Sequence, residues 1–187
     1  MKQAVVNLKS VTPYSQSKHY EVAKLSGESH GDYEVRTWRE RMHVTPDGCV
    51  QMPAMSFSNC LKTSAKRLSI KIKGGGQKTY TKSFEAGLLV LEPLNLDVKA
   101  ADVPSDCLFV PSDGIKGSGK RVTKYFPRID EWSGTVTFHI LDDVITQDVF
   151  ETVLCNAGSL VGLGRFRPEN GGYYGRFNAD LKQWVVI

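Results

Sequence analysis

Between Asp47 and Glu85 the sequence contains no acidic residue, while Lys62, Lys66, Arg67, Lys71, Lys73, Lys78 and Lys82 all fall in that window. The net charge of the chain is only +4, so the basic balance is mild and its uneven distribution carries the information. Cysteine is scarce. Cys49, Cys60, Cys107 and Cys155 are too widely spread for the paired spacing of a zinc site, and they form no disulfide framework. This reads as no metal, no cofactor and free thiols, most of them core residues. No run approaches the ~18 apolar residues of a membrane span. The opening Met1-Lys2-Gln3-Ala4-Val5-Val6-Asn7 also lacks the apolar stretch and cleavage pattern of a signal peptide. The expectation is a soluble, cytoplasmic protein with no membrane partner. A nucleotide-binding P-loop is missing too. The tract 114–121, Gly-Ile-Lys-Gly-Ser-Gly-Lys-Arg, has neither the spacing nor the strand-then-helix frame of one.

What is present is a globular composition, with 41% hydrophobic and 10% aromatic residues over 187 positions. That length can bury a sizeable core and fits a single domain, 1–187. Residues 162–176 stand out: five glycines, Arg165, Arg167, Arg176, Phe166, Tyr173 and Tyr174 lie within them. Glycine lets a backbone or ligand approach closely. Arginine matches phosphate geometry and stacks on flat rings. Aromatic side chains offer faces to bases. The combination suits an anionic, ring-bearing polymer, and it also suits a glycine-punctuated hairpin whose arginines face solvent.

Along the chain, Ala4, Val6 and Leu8 alternate with Val5, Asn7 and Lys9 and predict a first strand, ended by Pro13. Residues 16–32 read as a loop and 33–44 as strand-like. Residues 57–68 form a helix with Phe57, Cys60, Leu61, Ala65 and Leu68 on one face, Ser56 as N-cap and Lys62, Lys66 and Arg67 opposite. A flexible basic loop follows, carrying Lys71 and Lys73. Residues 87–91 are a short buried strand. Residues 95–128, with three prolines and weak periodicity, read as an inserted excursion. Val136, Phe138 and Ile140 alternate with Thr135, Thr137 and His139 in the clearest strand. Residues 147–156 are a second helix, started by Thr146 and closed by Gly158. Phe177, Ala179 and Leu181 open a terminal strand. The order describes an α+β, ferredoxin-like or RRM-type βαββαβ sheet with insertions.

Three segments resemble the repeat-associated mysterious protein (RAMP) superfamily of CRISPR systems, specifically the backbone subunits that polymerise along guide RNA. The first strand with Thr12-Pro13-Tyr14-Ser15 is similar to that family's opening strand and proline loop. Residues 52–62, Met-Pro-Ala-Met-Ser-Phe-Ser-Asn-Cys-Leu-Lys, look like its proline, small residue, serine and basic helix. Gly162-Leu163-Gly164-Arg165-Phe166 and the later glycines are similar to its C-terminal glycine-rich loop. The excursion 95–128 would correspond to a brief thumb. The resemblance implies guide-RNA binding in an antiviral ribonucleoprotein, with head-to-tail self-association or assembly with other subunits.

The expected function is sequence-tolerant binding of single-stranded RNA or DNA, RNA favoured. Lys62, Lys66, Arg67, Lys71, Lys73, Arg165, Arg167 and Arg176 would meet phosphates. The N–H groups of Gly162 and Gly164 would reach phosphate oxygens. Phe166, Tyr173 and Tyr174 would stack on bases or plug the sheet edge. Two alternatives compete. One is a protein-interaction module that occupies or blocks a subunit's place in such a complex. The other is an RNA endonuclease using His19, His30 or His43, or Asp32, Asp47 or Asp113 with a metal, although no catalytic spacing supports it.

Overall fold

The computed structural model describes residues 1–112, 115, 117 and 119–187. Asp113, and Gly114, Lys116 and Ser118 of the glycine-rich tract, lie outside the described residues. The chain runs β1 (Lys2–Ser10), α1 (His30–Thr37) and a 3-10 turn (Trp38–Arg41), then β2 (Cys49–Met52), α2 (Ala54–Leu68), α3 (Thr81–Ala86) and β3 (Leu88–Leu89). It continues through β4 (Leu94–Lys99), β5 (Ser105–Pro111), β6 (Arg121–Pro127), β7 (Ser133–Ile140), α4 (Gln147–Asn156), a π-turn (Ala157–Val161) and β8 (Phe177–Val186).

The main sheet has the order β3-β7-β1-β8, with every neighbouring pair antiparallel. With β1, β3, β7 and β8 as the four frame strands, and α2 and α4 as the helices between them, this is the ferredoxin-like arrangement expected from the βαββαβ order. Alternation explains the core. Ala4, Val6 and Leu8 of β1 and Val136, Phe138 and Ile140 of β7 are all buried on one face. Phe57, Cys60, Leu61 and Ala65 of α2 and Phe150, Val153 and Leu154 of α4 close over them. Phe150 packs edge-on to Phe138 at 5.4 Å between ring centroids, and Ser64 Oγ donates to the Val153 carbonyl at 2.7 Å across the helix pair. The opposite sheet face carries Val5, Asn7, Thr135, Thr137 and His139, and β1 and β7 place no Phe, Tyr or Trp ring there.

Several sequence expectations need correction. Residues 33–41 are helical, not strand-like; of the block 33–44 only Val44, bridged to Val50, pairs as a strand would. Ser29 caps α1 by accepting from the Asp32 N–H at 3.1 Å, and Glu34, Thr37, Trp38 and Arg41 are buried at helical spacing. The buried face holds a charged pair, Arg41 Nη2 donating to Glu34 Oε2 at 2.7 Å, so a search for apolar periodicity passes over it. α2 begins at Ala54 with Pro53 as its N-cap, and Ser56 sits inside the first turn. Thr146 holds the N-cap position of α4, but its hydroxyl bonds the Asp148 carboxylate instead of a backbone N–H. Gly158 does not close α4. The helix continues through the π-turn to Gly162, and a side chain at Gly158 would strike the Phe177 carbonyl of β8. The cysteines are all free, yet only Cys60 is buried; Cys107 and Cys155 are exposed. The basic segment after α2 closes on itself through a Lys71–Thr79 bridge and then forms α3, anchored by Tyr80 and Phe84. The excursion is strand-rich: β4 pairs with β2, and β5 with β6 in a hairpin. Its prolines sit beside or at strand ends, where no ladder donor is required.

Candidate nucleic-acid interface

The loop 162–176 is laced to the proline segment that follows β1. Arg165 N–H donates to the Ser15 carbonyl at 2.8 Å, Gly175 N–H to the Pro13 carbonyl at 2.7 Å, and Arg176 N–H to Thr12 Oγ1 at 2.9 Å. Such close lacing requires glycine. Gly164 has φ +75°, and a Cβ there would overlap both the Ser15 carbonyl and the Tyr14 ring. Gly175 at φ +80° lies equally tight against the Leu163 backbone. Phe166 adopts φ +53°, a left-handed conformation that non-glycine residues rarely take and that marks local strain.

That loop and the β5–β6 hairpin form the two walls of a cleft of about 730 Å³. Four cations line it (Arg41, Arg121, Lys124 and Arg165) together with the rings of Phe109, Phe126 and Phe166, and none of the described residues that line it is a carboxylate. Arg165 is central. Its guanidinium carbon lies 3.2 Å from the Phe126 ring centroid and 3.7 Å from that of Phe166, within cation–π range of both. Burial and the neighbouring Arg41 push its pKa down to about 10, and its Nη1 is buried without a hydrogen-bond partner. A cation held among rings, lacking an anion and short of an acceptor is suited to receive one. Arg41 is fixed from behind, its Nε donating to the Tyr125 carbonyl at 3.1 Å and its Nη2 to Glu34.

The aromatic row continues outward. Phe166 meets Tyr174 edge-on at 6.3 Å, and Tyr174 meets Tyr173 at 5.9 Å. The Tyr174 hydroxyl donates to the Asp106 carboxylate at the root of β5, and burial with that carboxylate pushes the phenol up to about 12. Asp106 also accepts from Arg128 Nη1 at 2.9 Å. The two walls are thus tied together at one end. Tyr174 is a wall tie; Tyr173, 62% exposed, keeps its faces open.

A second, smaller cleft of about 160 Å³ lies where α2 meets the same loop, between Ser56, Asn59 and Thr63 and Gly162, Gly164, Arg167 and Glu169. The two segments expected to converge therefore touch, but mostly through neutral side chains. Lys62, Lys66, Arg67, Lys71 and Lys73 are exposed and line neither cleft. Lys62 shares a helical turn with Asn59 and Thr63; Lys71 and Lys73 lie beyond the C-terminal end of α2. Of the loop arginines, Arg167 pairs with Glu169 at 2.8 Å, and Arg176 donates to the carbonyls of Ser159 and Tyr173. Both brace the loop. The Gly162 N–H is already committed to the Ala157 carbonyl at 2.8 Å, so it offers nothing to a phosphate. Gly164 serves close approach between segments.

Sequence reasoning missed Arg41, Phe109, Arg121, Lys124 and Phe126. The one available signal was Arg121-Val122-Thr123-Lys124-Tyr125-Phe126, a stretch rich in β-branched and aromatic residues that carries two cations and reads as a strand. His19 pairs with Glu21 at 3.5 Å on the surface, and none of the four histidines lines the cleft. Among the described residues no three His, Cys, Asp or Glu side chains come together to hold a metal, and no helix is long and apolar enough to cross a membrane.

No family model matches the chain, and no curated protein matches it in sequence. Among solved structures, the crystal structure of Cmr6 from Pyrococcus furiosus aligns with 94% of this chain and 97% of its own at a TM-score of 0.46 and 11% identity.

Proposed function

We propose that this chain binds single-stranded RNA along the cleft between the loop 162–176 and the β5–β6 hairpin. One observation carries the reading: a groove with four cations, three rings and no carboxylate among its described lining residues, whose central arginine has an unpartnered Nη1. Phosphates would meet Arg121, Lys124 and Arg165. Bases would stack on Phe109 and Tyr173, which are 61% and 62% exposed. Binding of this type follows the backbone and tolerates most sequences. The segment resemblance to RAMP backbone subunits agrees with this role and extends it to assembly in a CRISPR-type ribonucleoprotein, with the β5–β6 hairpin as the thumb-like element. We propose a binding role rather than catalysis: among the described residues that line the cleft, none is a histidine or a carboxylate that could move a proton.

The test is fluorescence anisotropy with an unstructured RNA oligonucleotide across a salt series. Phosphate contacts give log K falling by about 0.7 per contact for each decade of salt. The double variant Arg121→Ala and Lys124→Ala should flatten that slope by one to two contacts. A flat wild-type curve would reject the reading and favour a protein-interaction module.

A further inference from the structure

The face of the main sheet that α2 and α4 leave uncovered carries a groove. Three hollows of about 240, 520 and 480 Å³ follow one another across it. Thr135 lines the first two, and Lys9 and Ser133 line the second and third, so the three are continuous. The groove runs from Leu91, past β7, β1 and β8, to Asp97 of β4. The six steps of β7 between His139 and Ser133 alone give it a length of about 20 Å. Its chemistry is one-sided. Glu92, Asp97, Asp130, Glu131 and Asp180 line it, against Lys9 as the one cation among its described lining residues. Arg128 holds Asp130 at 2.8 Å, and Lys182 pairs with Asp180. Glu92, Asp97 and Glu131 are exposed, and no ion pair among the described residues includes them. The carboxylates are strung out along the groove, and among the described residues no three of them converge where a metal ion could sit. Leu91 and Val11, 64% and 55% exposed, add an apolar contact near each end.

A row of separated acids suits an extended cationic surface, and this chain carries one. Lys62, Lys66, Arg67, Lys71, Lys73, Lys78 and Lys82 are all exposed, and none belongs to an ion pair among the described residues. Within one molecule the two surfaces cannot meet. α2 covers the buried face of the sheet, so its outward cations point away from the groove on the other face. We propose that the acidic groove of one copy receives the lysine surface of a second copy. Complementary potentials of this kind steer two copies together and fix which faces meet. The two surfaces differ and lie on opposite sides, so the contact is heterologous: every pair leaves one groove and one lysine surface free for further copies. No residue of this contact lines the cleft beside Arg165, so the inference stands independently of the RNA reading.

The test is sedimentation velocity of the full chain, freed of nucleic acid, over a concentration series. Wild type should form dimers and longer species at low salt and dissociate as salt rises from about 50 to 500 mM, where the Debye length falls below about 5 Å. The groove variant Asp97→Asn with Glu131→Gln and the surface variant Lys66→Gln with Arg67→Gln should each associate about tenfold more weakly, with unchanged melting, since all four side chains are exposed and unpaired. An equimolar mixture of the two variants is the decisive sample. It retains one intact groove and one intact lysine surface, so it should give a one-to-one dimer that grows no further. A monomer at every concentration in low salt would overturn the proposal. So would association that ignores salt, which would assign the contact to apolar side chains. A dimer that the groove variant weakens and the surface variant does not would overturn it as well, in favour of two grooves meeting face to face. None of these outcomes bears on RNA affinity, which the anisotropy titration measures separately.

Discussion

Two basic regions of this molecule invite the same description and differ in kind. The surface made by α2 and the segment to α3 carries seven cations, from Lys62 to Lys82, without an intervening acid. The cleft between the glycine loop and the hairpin has four. On α2 the lysines stand in water on long flexible stems, where each ion contact is screened and costs side-chain entropy to form. In the cleft the cations are held: Arg165 between two rings, Arg41 by Glu34 and a carbonyl, Arg121 against Phe109. Counting charges ranks the lysine surface first. Counting ordering already completed before binding ranks the cleft first, because a fixed guanidinium loses little freedom when a phosphate arrives. On the proposed binding role the lysine surface would contribute attraction at a distance, which raises encounter rate more than residence time.

The largest expected effect breaks the cleft without removing any charge. Gly164→Ala places a Cβ against the Ser15 carbonyl and the Tyr14 ring in a left-handed backbone. It should cost about 2–4 kcal/mol of stability and abolish measurable RNA binding. Gly171→Ala has the same sign of φ but nothing near its Cβ, so it should cost about 1 kcal/mol and bind almost normally. Equal melting temperatures for the two variants would show that the loop is not wedged against the proline segment.

Next comes the direct contest between regions. Arg165→Gln should weaken RNA binding at least about tenfold, as the loss of a charge-assisted hydrogen bond in a partly buried site predicts. Lys66→Gln should change affinity less than about threefold and lower the salt slope by no more than about 0.7. The reverse ranking would move the binding surface to α2. The depressed pKa of Arg165 adds a signature. A bound phosphate raises that pKa again, so affinity should fall more steeply as pH rises through about 10 in the wild type than in Arg165→Gln. A DNA oligonucleotide can report this without alkaline hydrolysis.

How much of this was legible in the sequence follows from what each element buries. β1, β7, α2 and α4 bury aliphatic and aromatic side chains at clean periods of 2 and 3.6, and the sheet order follows from their succession. α1 and the 3-10 turn after it hide because their inward face carries Glu34, Thr37 and Arg41, and the Glu34–Arg41 pairing is supplied only by the fold. The excursion 95–128 hides because its prolines suggest breaks where they mark strand ends. At the site, Arg165 and Phe166 were visible through local composition. Arg41, Lys124 and Phe126 were not, since they come from segments far apart in sequence that only the packing of α1, the hairpin and the loop brings together. The α2 lysines misled for the converse reason: a charge run is conspicuous in sequence whether or not the fold gives it a groove.

A smaller effect tests the tie between the cleft walls. Tyr174→Phe removes the hydrogen bond to Asp106 and leaves the ring row in place. Affinity should drop a few-fold, with faster dissociation, because the hairpin wall is less constrained. The phenol is raised in the folded state, so its stabilising contribution is complete below its ordinary value near 10 and disappears as pH climbs toward about 12. Wild type should therefore lose stability across that window faster than Tyr174→Phe. Parallel alkaline melting curves would mean that Asp106 holds the hairpin through Arg128 alone.

The smallest effect concerns the support behind Arg41. Glu28 accepts from Arg36 Nε at 2.6 Å and Nη2 at 2.9 Å, and this pairing lowers its pKa from an ordinary 4.5 to about 2. A depressed carboxyl contributes stability above its unfolded value and loses it as pH falls through the folded one, so the window is about 4.5 down to 2. The pair sits on the surface between α1 and the segment before it, so its loss should loosen that unit alone. Protection of residues 20–37, measured against the intrinsic exchange rate at each pH, should fall on acidification to pH 3 while protection in β1 and β7 holds. Glu28→Gln should show the faster exchange already at pH 7. The outcome separates the two basic regions once more. α1 stands behind Arg41 and contributes to the cleft, so RNA affinity should weaken slightly in Glu28→Gln. It is an α2-based site that would register no change at all.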